Sequence, residues 1–157
     1  MLRQFLDYHR ATLLIKVDGL DSDQLRRTAA ASSLTLGSLL KHLALVQDGW
    51  LVEKMQGDPL PAPWDAVDWD ADPDWEINSA AEDSAEQLVA QFRESSERAR
   101  RVEAAYDSLD ALSTAPSRDT GEPFTLRWIL LHLIEEFARH NGHADLLRES
   151  IDGVVGE

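Results

Sequence analysis

The sequence of 157 residues contains no cysteine. This absence excludes disulfide bonds, thiolate metal ligands and a cysteine nucleophile, so any metal site must use histidine and carboxylate groups. Long apolar runs are absent as well: no stretch of about 18 consecutive apolar residues occurs, and charged side chains interrupt the apolar residues at the N-terminus. The sequence therefore predicts neither a signal peptide nor a membrane span, and we expect a cytoplasmic protein.

Basic residues are scarce relative to acidic ones. The chain carries 15 Lys and Arg against 29 Asp and Glu, which gives a formal net charge of -14. The averaged field of such a protein repels phosphate backbones and anionic membranes, so neither nucleic acid nor a membrane is expected as a partner. Apolar residues make up 43% of the chain, enough for one packed core. We expect a single domain over residues 1–157.

Apolar residues recur at helical spacing in the N-terminal part of the chain. They predict a first helix over about residues 2–18, followed by Gly19 as a C-cap. After a polar connector over residues 21–33, Thr35 is the expected N-cap of a second helix. Gly57 ends this helix.

The C-terminal part predicts two further helices. The third covers about residues 81–108 with a broad polar face, and after a loop at residues 117–124 the fourth runs from a Thr125 N-cap to about Ser150. No alternating strand pattern competes with these helices. The predicted fold class is therefore all-α, a four-helix bundle with one long crossover between its second and third helices.

The crossover, residues 58–80, is acidic and cannot be one regular helix. It contains four of the six prolines and three of the five tryptophans. The tryptophans are Trp64, Trp69 and Trp75. Two interpretations stay open: they form an aromatic lid over a site, or, as is more common, they pin a long connection to the bundle.

The fourth predicted helix contains the candidate functional residues, because three of the five histidines fall in one 12-residue stretch of it. At about 100° per residue, one arc of about 80° on the core-facing side holds four polar residues, namely His132, Glu136, His140 and His143. Glu135 and Arg139 point elsewhere. A buried carboxylate must be paired or must coordinate a metal, and no Lys or Arg occupies this arc. The pattern therefore predicts a divalent cation.

Axial distance limits which of these groups can share an ion. Partners four residues apart are separated by about 6 Å along the axis, whereas His132 and His140 are about 12 Å apart. Three pairs remain possible from this helix: His132 with Glu136, Glu136 with His140, or His140 with His143. The third ligand must come from another helix, either from His42 on the second or from His9 on the first. Two histidines and one carboxylate suit zinc, nickel or iron(II).

Each of these residues also has a simpler interpretation. A lone histidine such as His9 is more often a core residue whose ring nitrogens are hydrogen-bonded, and Glu136 with His140 could form a hydrogen bond without a metal. His132 and His143 are expected to line the pocket or to support the ligands. Arg139 could orient an anionic substrate, although a surface ion pair with Glu135 or Asp145 is the simpler expectation.

Two segments resemble the signature helices of the DinB-like superfamily: SLTLGSLLKHLALVQDGW at residues 33–50 and LRWILLHLIEEFARHNGHADLLRE at residues 126–149. The match is closest to the branch that is similar to the N-terminal domain of mycothiol-dependent maleylpyruvate isomerase. In that superfamily, one histidine on the second helix and a pair spaced by four on the last helix hold a divalent metal. The resemblance therefore implies His42, Glu136 and His140 as the ligands.

The resemblance also implies an activity. Characterised members are thiol transferases that use mycothiol, bacillithiol or glutathione, and homodimers are common among them. The expected function is thus that of a metal-dependent S-transferase acting on a small-molecule thiol and an electrophile, with zinc or nickel as the metal.

Two rival functions follow from the same residues. One is metal-activated hydrolysis, with His143 or His132 as a proton shuttle. The other is a non-enzymatic, stress-related bundle whose metal is structural and whose fourth ligand is His9 or His143.

Overall fold

The computed structural model describes residues 1–29 and 32–156. Residues 30 and 31, within the predicted polar connector, and residue 157, the end of the predicted domain, lie outside the described residues. The helices are α1 (Leu2–Val17), α2 (Ser22–Leu25), α3 (Leu36–Gln47), α4 (Trp75–Asn78), α5 (Ala85–Ala104) and α6 (Leu126–Asp152). A π-helix, Asp48–Gln56, continues α3. One 3-10 turn, Trp64–Ala66, lies in the crossover, and a second, Ser79–Glu82, lies at its end. The all-α prediction is confirmed.

Local capping explains where α3, α5 and α6 begin. Thr35 Oγ1 accepts a hydrogen bond from the Ser38 amide at 3.0 Å, and Thr125 Oγ1 accepts one from the Trp128 amide at 3.2 Å. These are the two N-caps that the sequence predicts. The third predicted helix starts later than expected, because Ser84 caps it by accepting from the Gln87 amide.

Two short elements were not predicted. Helix α2 lies inside the predicted polar connector, where Asp21 caps it by accepting from the Gln24 amide at 2.8 Å. A two-stranded antiparallel sheet joins β1 (Leu112–Pro116) to β2 (Pro123–Thr125). This small sheet is an addition to the predicted all-α fold. Strands of five and three residues are too short to show an alternating pattern.

Helix α6 is central to the packing, since α1 and α3 both contact it, while α3 also packs on α5. Two hydrogen bonds give the direction of α1 relative to α6. The side chain of Asn141 donates to the carbonyl of His9 at 3.1 Å, and Arg148 donates to the carbonyl of Lys16 at 3.1 Å. Because later residues of α1 meet later residues of α6, the two helices run parallel. Among the described residues, no helix is both long and apolar enough to cross a membrane.

The crossover is pinned to the helices by its first tryptophan. Trp64 is 1% exposed, and its indole nitrogen donates to Asp48 Oδ2 at 2.9 Å. The ring of Trp75 packs edge-on against Trp64 and also against Trp69. For Trp64, the pinning interpretation is therefore confirmed.

Candidate metal centre

Helices α3 and α6 bring together His42, Glu136 and His140, which we call the ligand trio. One ligand atom from each residue lies within 4.8 Å of the other two, and all three side chains are half-buried. Of the pairs that spacing left possible, the structure thus places Glu136 with His140 next to a histidine of another helix. His42 takes that position rather than His9.

The two ligands on α6 are already close to a metal-binding separation. His140 Nε2 lies 3.5 Å from Glu136 Oε2. Two ligands of a tetrahedral zinc ion are about 3.4 Å apart when each bond is about 2.1 Å long. The imidazole rings of His42 and His140 meet nearly edge-on, with centroids 4.9 Å apart.

His42 is held on its other side by a residue that the sequence did not single out. Its Nδ1 lies 3.0 Å from Oε1 of Glu76, a buried residue of α4 in the crossover. The nitrogen that remains for a metal is therefore Nε2. Glu76 is one of many acidic residues in the crossover, and no periodicity distinguishes it from the others.

The remaining histidines lie outside the ligand trio. His143 borders it, with its Nδ1 3.3 Å from His140 Nδ1. His132 instead stacks on the ring of Trp128 at 5.1 Å and meets Trp50 edge-on at 4.8 Å. His143 is thus placed to support a ligand, whereas His132 belongs to an aromatic cluster.

His9 is bound to α6 through a polar contact. Its Nδ1 lies 3.4 Å from Asn141 Nδ2, and its carbonyl accepts from the same amide. Burial lowers the pKa of His9. This environment matches the interpretation of His9 as a structural histidine whose polar atoms have hydrogen-bond partners.

Arg139 contradicts one expectation. Its Nη1 reaches Glu136 Oε1 at 3.4 Å, so the prediction that no basic side chain pairs with Glu136 is wrong. The long side chain of Arg139 reaches back three residues along the helix from its exposed flank. The predicted surface pair with Glu135 is present as well, at 3.0 Å. Glu136 still keeps Oε2 facing His140.

Electrostatics favour the neutral imidazole of His140. Burial lowers its pKa to about 4, positive charge on His42 adds to this effect, and the carboxylate of Glu136 opposes it. At neutral pH the ring therefore carries one proton only. With one nitrogen free of a proton, it can bind a cation.

The donor set of the ligand trio fits a divalent transition metal. Two imidazole nitrogens and one carboxylate oxygen suit zinc, nickel or iron(II). Among the described residues, no fourth His, Asp or Glu joins the group. Three protein ligands leave coordination positions for water or a substrate, as catalytic sites do.

Comparison with known proteins adds the family. A search of curated proteins finds no significant match. The family model described as mycothiol-S-transferase matches residues 1–153, nearly the whole chain. The chain therefore belongs to the mycothiol-S-transferase family, within the DinB-like superfamily.

Proposed function

We propose that His42, Glu136 and His140 hold a divalent ion, zinc or nickel, and that the protein is a metal-dependent S-transferase using a thiol of the mycothiol type. One observation carries this proposal: three ligand atoms converge within 4.8 Å in a chain of a mycothiol-S-transferase family. The finer similarity to the N-terminal domain of maleylpyruvate isomerase, the single domain over residues 1–157 and the homodimer are proposals that rest on sequence alone.

The reaction class sets what the site must do. The S–H bond of the thiol breaks and its proton passes to solvent. The sulfur then forms a bond to the electrophilic atom of the second substrate, while the bond from that atom to a leaving group breaks and the leaving group departs with the electron pair. A bound divalent cation supplies stabilisation of the thiolate near neutral pH.

The chain's own residues prepare this site in three ways. Glu136 brings a negative charge next to two imidazoles, which lowers the net charge of the loaded centre. His143 contacts the outer nitrogen of His140, so that the inner nitrogen, Nε2, faces Glu136. The three ligand side chains are 13–25% exposed, so protein atoms cover most of their surface.

Metal binding is the first test. The protein is stripped with a strong chelator, dialysed and titrated with zinc, and we expect one ion per chain. Glu136→Ala removes a ligand and should abolish stoichiometric binding. Glu135→Ala is the matched control, because this exposed neighbour on the same helix lies outside the ligand trio. Full retention of zinc by Glu136→Ala would contradict the ligand assignment.

Turnover is the second part of the same test. The loaded protein is assayed with mycothiol and other small thiols against a panel of electrophiles, with zinc or nickel added. We expect product only when thiol, electrophile and metal are all present. Product that forms without any thiol would instead support metal-activated hydrolysis.

A further inference from the structure

The crossover reaches the ligand trio through the side chain of Glu76. The bond between Glu76 Oε1 and His42 Nδ1 is 3.0 Å long, and Glu76 itself is 5% exposed. We propose that Glu76 is a positioning residue that fixes the tautomer and the orientation of His42, and so makes the crossover part of the metal centre. This inference rests on the proposed metal binding by His42.

The chemistry of the bond determines the tautomer. An ionised carboxylate only accepts hydrogen bonds, so the proton of a neutral His42 must sit on Nδ1. The lone pair is then on Nε2, the nitrogen left to face the other two ligands. A metal-bound histidine that donates its second N–H to a carboxylate is held in one ring orientation and is a more basic ligand.

The burial of Glu76 points to a cation nearby. Within residues 1–29 and 32–156, its only ion-pair partner is His42, and its second oxygen, Oε2, is buried with no hydrogen-bond partner. A buried carboxylate is costly when it has one hydrogen-bond partner and its second oxygen has none. A divalent ion on Nε2 would polarise the imidazole and strengthen its N–H donor. The bound cation would thereby offset the free-energy cost of burying the Glu76 carboxylate.

The neighbours of the two residues hold the bond in place. Lys41, which precedes His42, places Nζ 4.3 Å from the ring centre of Trp75, which precedes Glu76. The same Nζ donates to Ser79 Oγ at 2.9 Å and to Asp83 Oδ2 at 2.6 Å. Two successive residues of α3 thus bind two successive residues of α4, and this register aims Glu76 at His42.

The test uses the full chain with Glu76→Gln, which keeps the shape of the side chain, and Glu76→Ala, which removes the partner. Glu82→Gln is the matched control, because this exposed carboxylate lies in the turn that follows α4. In metal-free protein, nitrogen NMR of the imidazoles should show His42 as the Nδ1–H tautomer in the wild type and in Glu82→Gln. Glu76→Ala should lose that single tautomer, and Glu76→Gln should populate both tautomers, because an amide can donate to the ring nitrogen as well as accept from it. Zinc affinity, measured by competition with a chelator, should fall about 10- to 100-fold in both variants.

The outcomes separate this inference from the proposed function. Wild-type affinity in a folded Glu76 variant overturns the inference alone, even if that variant unfolds more easily, because a purely structural role lowers stability without changing zinc affinity. If Glu76→Ala does not fold, Glu76→Gln decides by the same measurements. Failure of the wild type to bind zinc or nickel overturns the proposed function itself, and the inference with it.

Discussion

Burial fixes the protonation of His140 before any ligand binds. Because its pKa falls from 6.5 to about 4 in the folded protein, the native state binds this proton less readily than the unfolded state does. Lowering the pH from 6.5 towards 4 should therefore destabilise the metal-free protein, by at most about 3 kcal/mol from this residue. Urea unfolding in the presence of a chelator, between about pH 7 and pH 5, measures the effect.

Two variants test this prediction: His140→Gln, and a double variant that carries both His140→Gln and His9→Gln. The pKa of His9 is also lowered by burial, so part of the acid sensitivity should persist in His140→Gln and decrease further in the double variant. An unchanged pH dependence in His140→Gln would show that this residue is not the source.

Sequence reasoning found part of the candidate site. Helical spacing placed Glu136 and His140 on one core-facing arc but left three ligand pairs possible, and resemblance to a family was needed to choose among them. Glu76 and Arg139 were missed for opposite reasons. The role of Glu76 depends on how a distant segment folds back, and that of Arg139 on the reach of a flexible side chain.

At the scale of elements, the junction between the π-helix and the hairpin depends on one glycine. Gly57 has a φ of 86°, and a Cβ added there would lie 2.6 Å from Thr114 Cγ2. We predict that Gly57→Ala costs about 1 kcal/mol for the left-handed backbone and roughly 1–3 kcal/mol more for the steric overlap. Thermal or urea unfolding measures the loss.

Gly19→Ala is the control for the backbone contribution alone. Gly19 has a similar φ of 75°, but a Cβ there meets nothing within 4 Å. It should cost only about 1 kcal/mol. Adding Thr114→Ser to Gly57→Ala removes the nearest methyl group and should restore part of the stability. Equal losses of stability in Gly57→Ala and Gly19→Ala would show that the hairpin shifts to make room for the added methyl group without a cost in free energy.

The long helices were predictable because each has a long apolar stripe, and for two of them a threonine caps the start, Thr35 for α3 and Thr125 for α6. The hairpin was not, since its strands are short and each contains a proline. Neither its pairing nor the π-helical continuation of α3 leaves a periodic signal in the sequence.

At the scale of the whole molecule, one buried polar network joins three helices. Arg10 of α1 is completely buried and donates to Gln47 of α3 at 2.6 Å and to Glu103 of α5 at 2.7 Å. We predict that Glu103→Gln destabilises the protein by at most about 3–5 kcal/mol, because the buried guanidinium of Arg10 loses its buried carboxylate and keeps only the partly exposed Asp7, at 2.9 Å. Urea unfolding of the metal-free protein is the measurement.

Arg127→Gln is the comparison for this prediction. Its ion pair with Asp110 is about half exposed on one side and mostly exposed on the other, so its loss should change stability by no more than about 1 kcal/mol. Similar losses in the free energy of unfolding in the two variants would show that burial does not increase the contribution of the Arg10–Glu103 ion pair to stability.

This network was not predicted. The spacing of the first helix did not single out Arg10, and an arginine is normally expected at the surface. Only the arrival of Glu103 and Gln47 from two other helices makes the burial of Arg10 possible, and that is a property of the assembled fold.

Two of the three proposed ligands belong to one continuous helix, α6, and the third belongs to α3. The separation of Glu136 from His140 is therefore set by the rise of a single helix, whereas both distances to His42 are set by the spacing of two helix axes. The ligand trio thus has one distance that stays constant, from Glu136 to His140, and two distances to His42 that change when α3 moves relative to α6. A core substitution that pushes α3 away from α6 lengthens only the distances to His42. The preference of the site for one metal over another would therefore change with core packing far from the ligands.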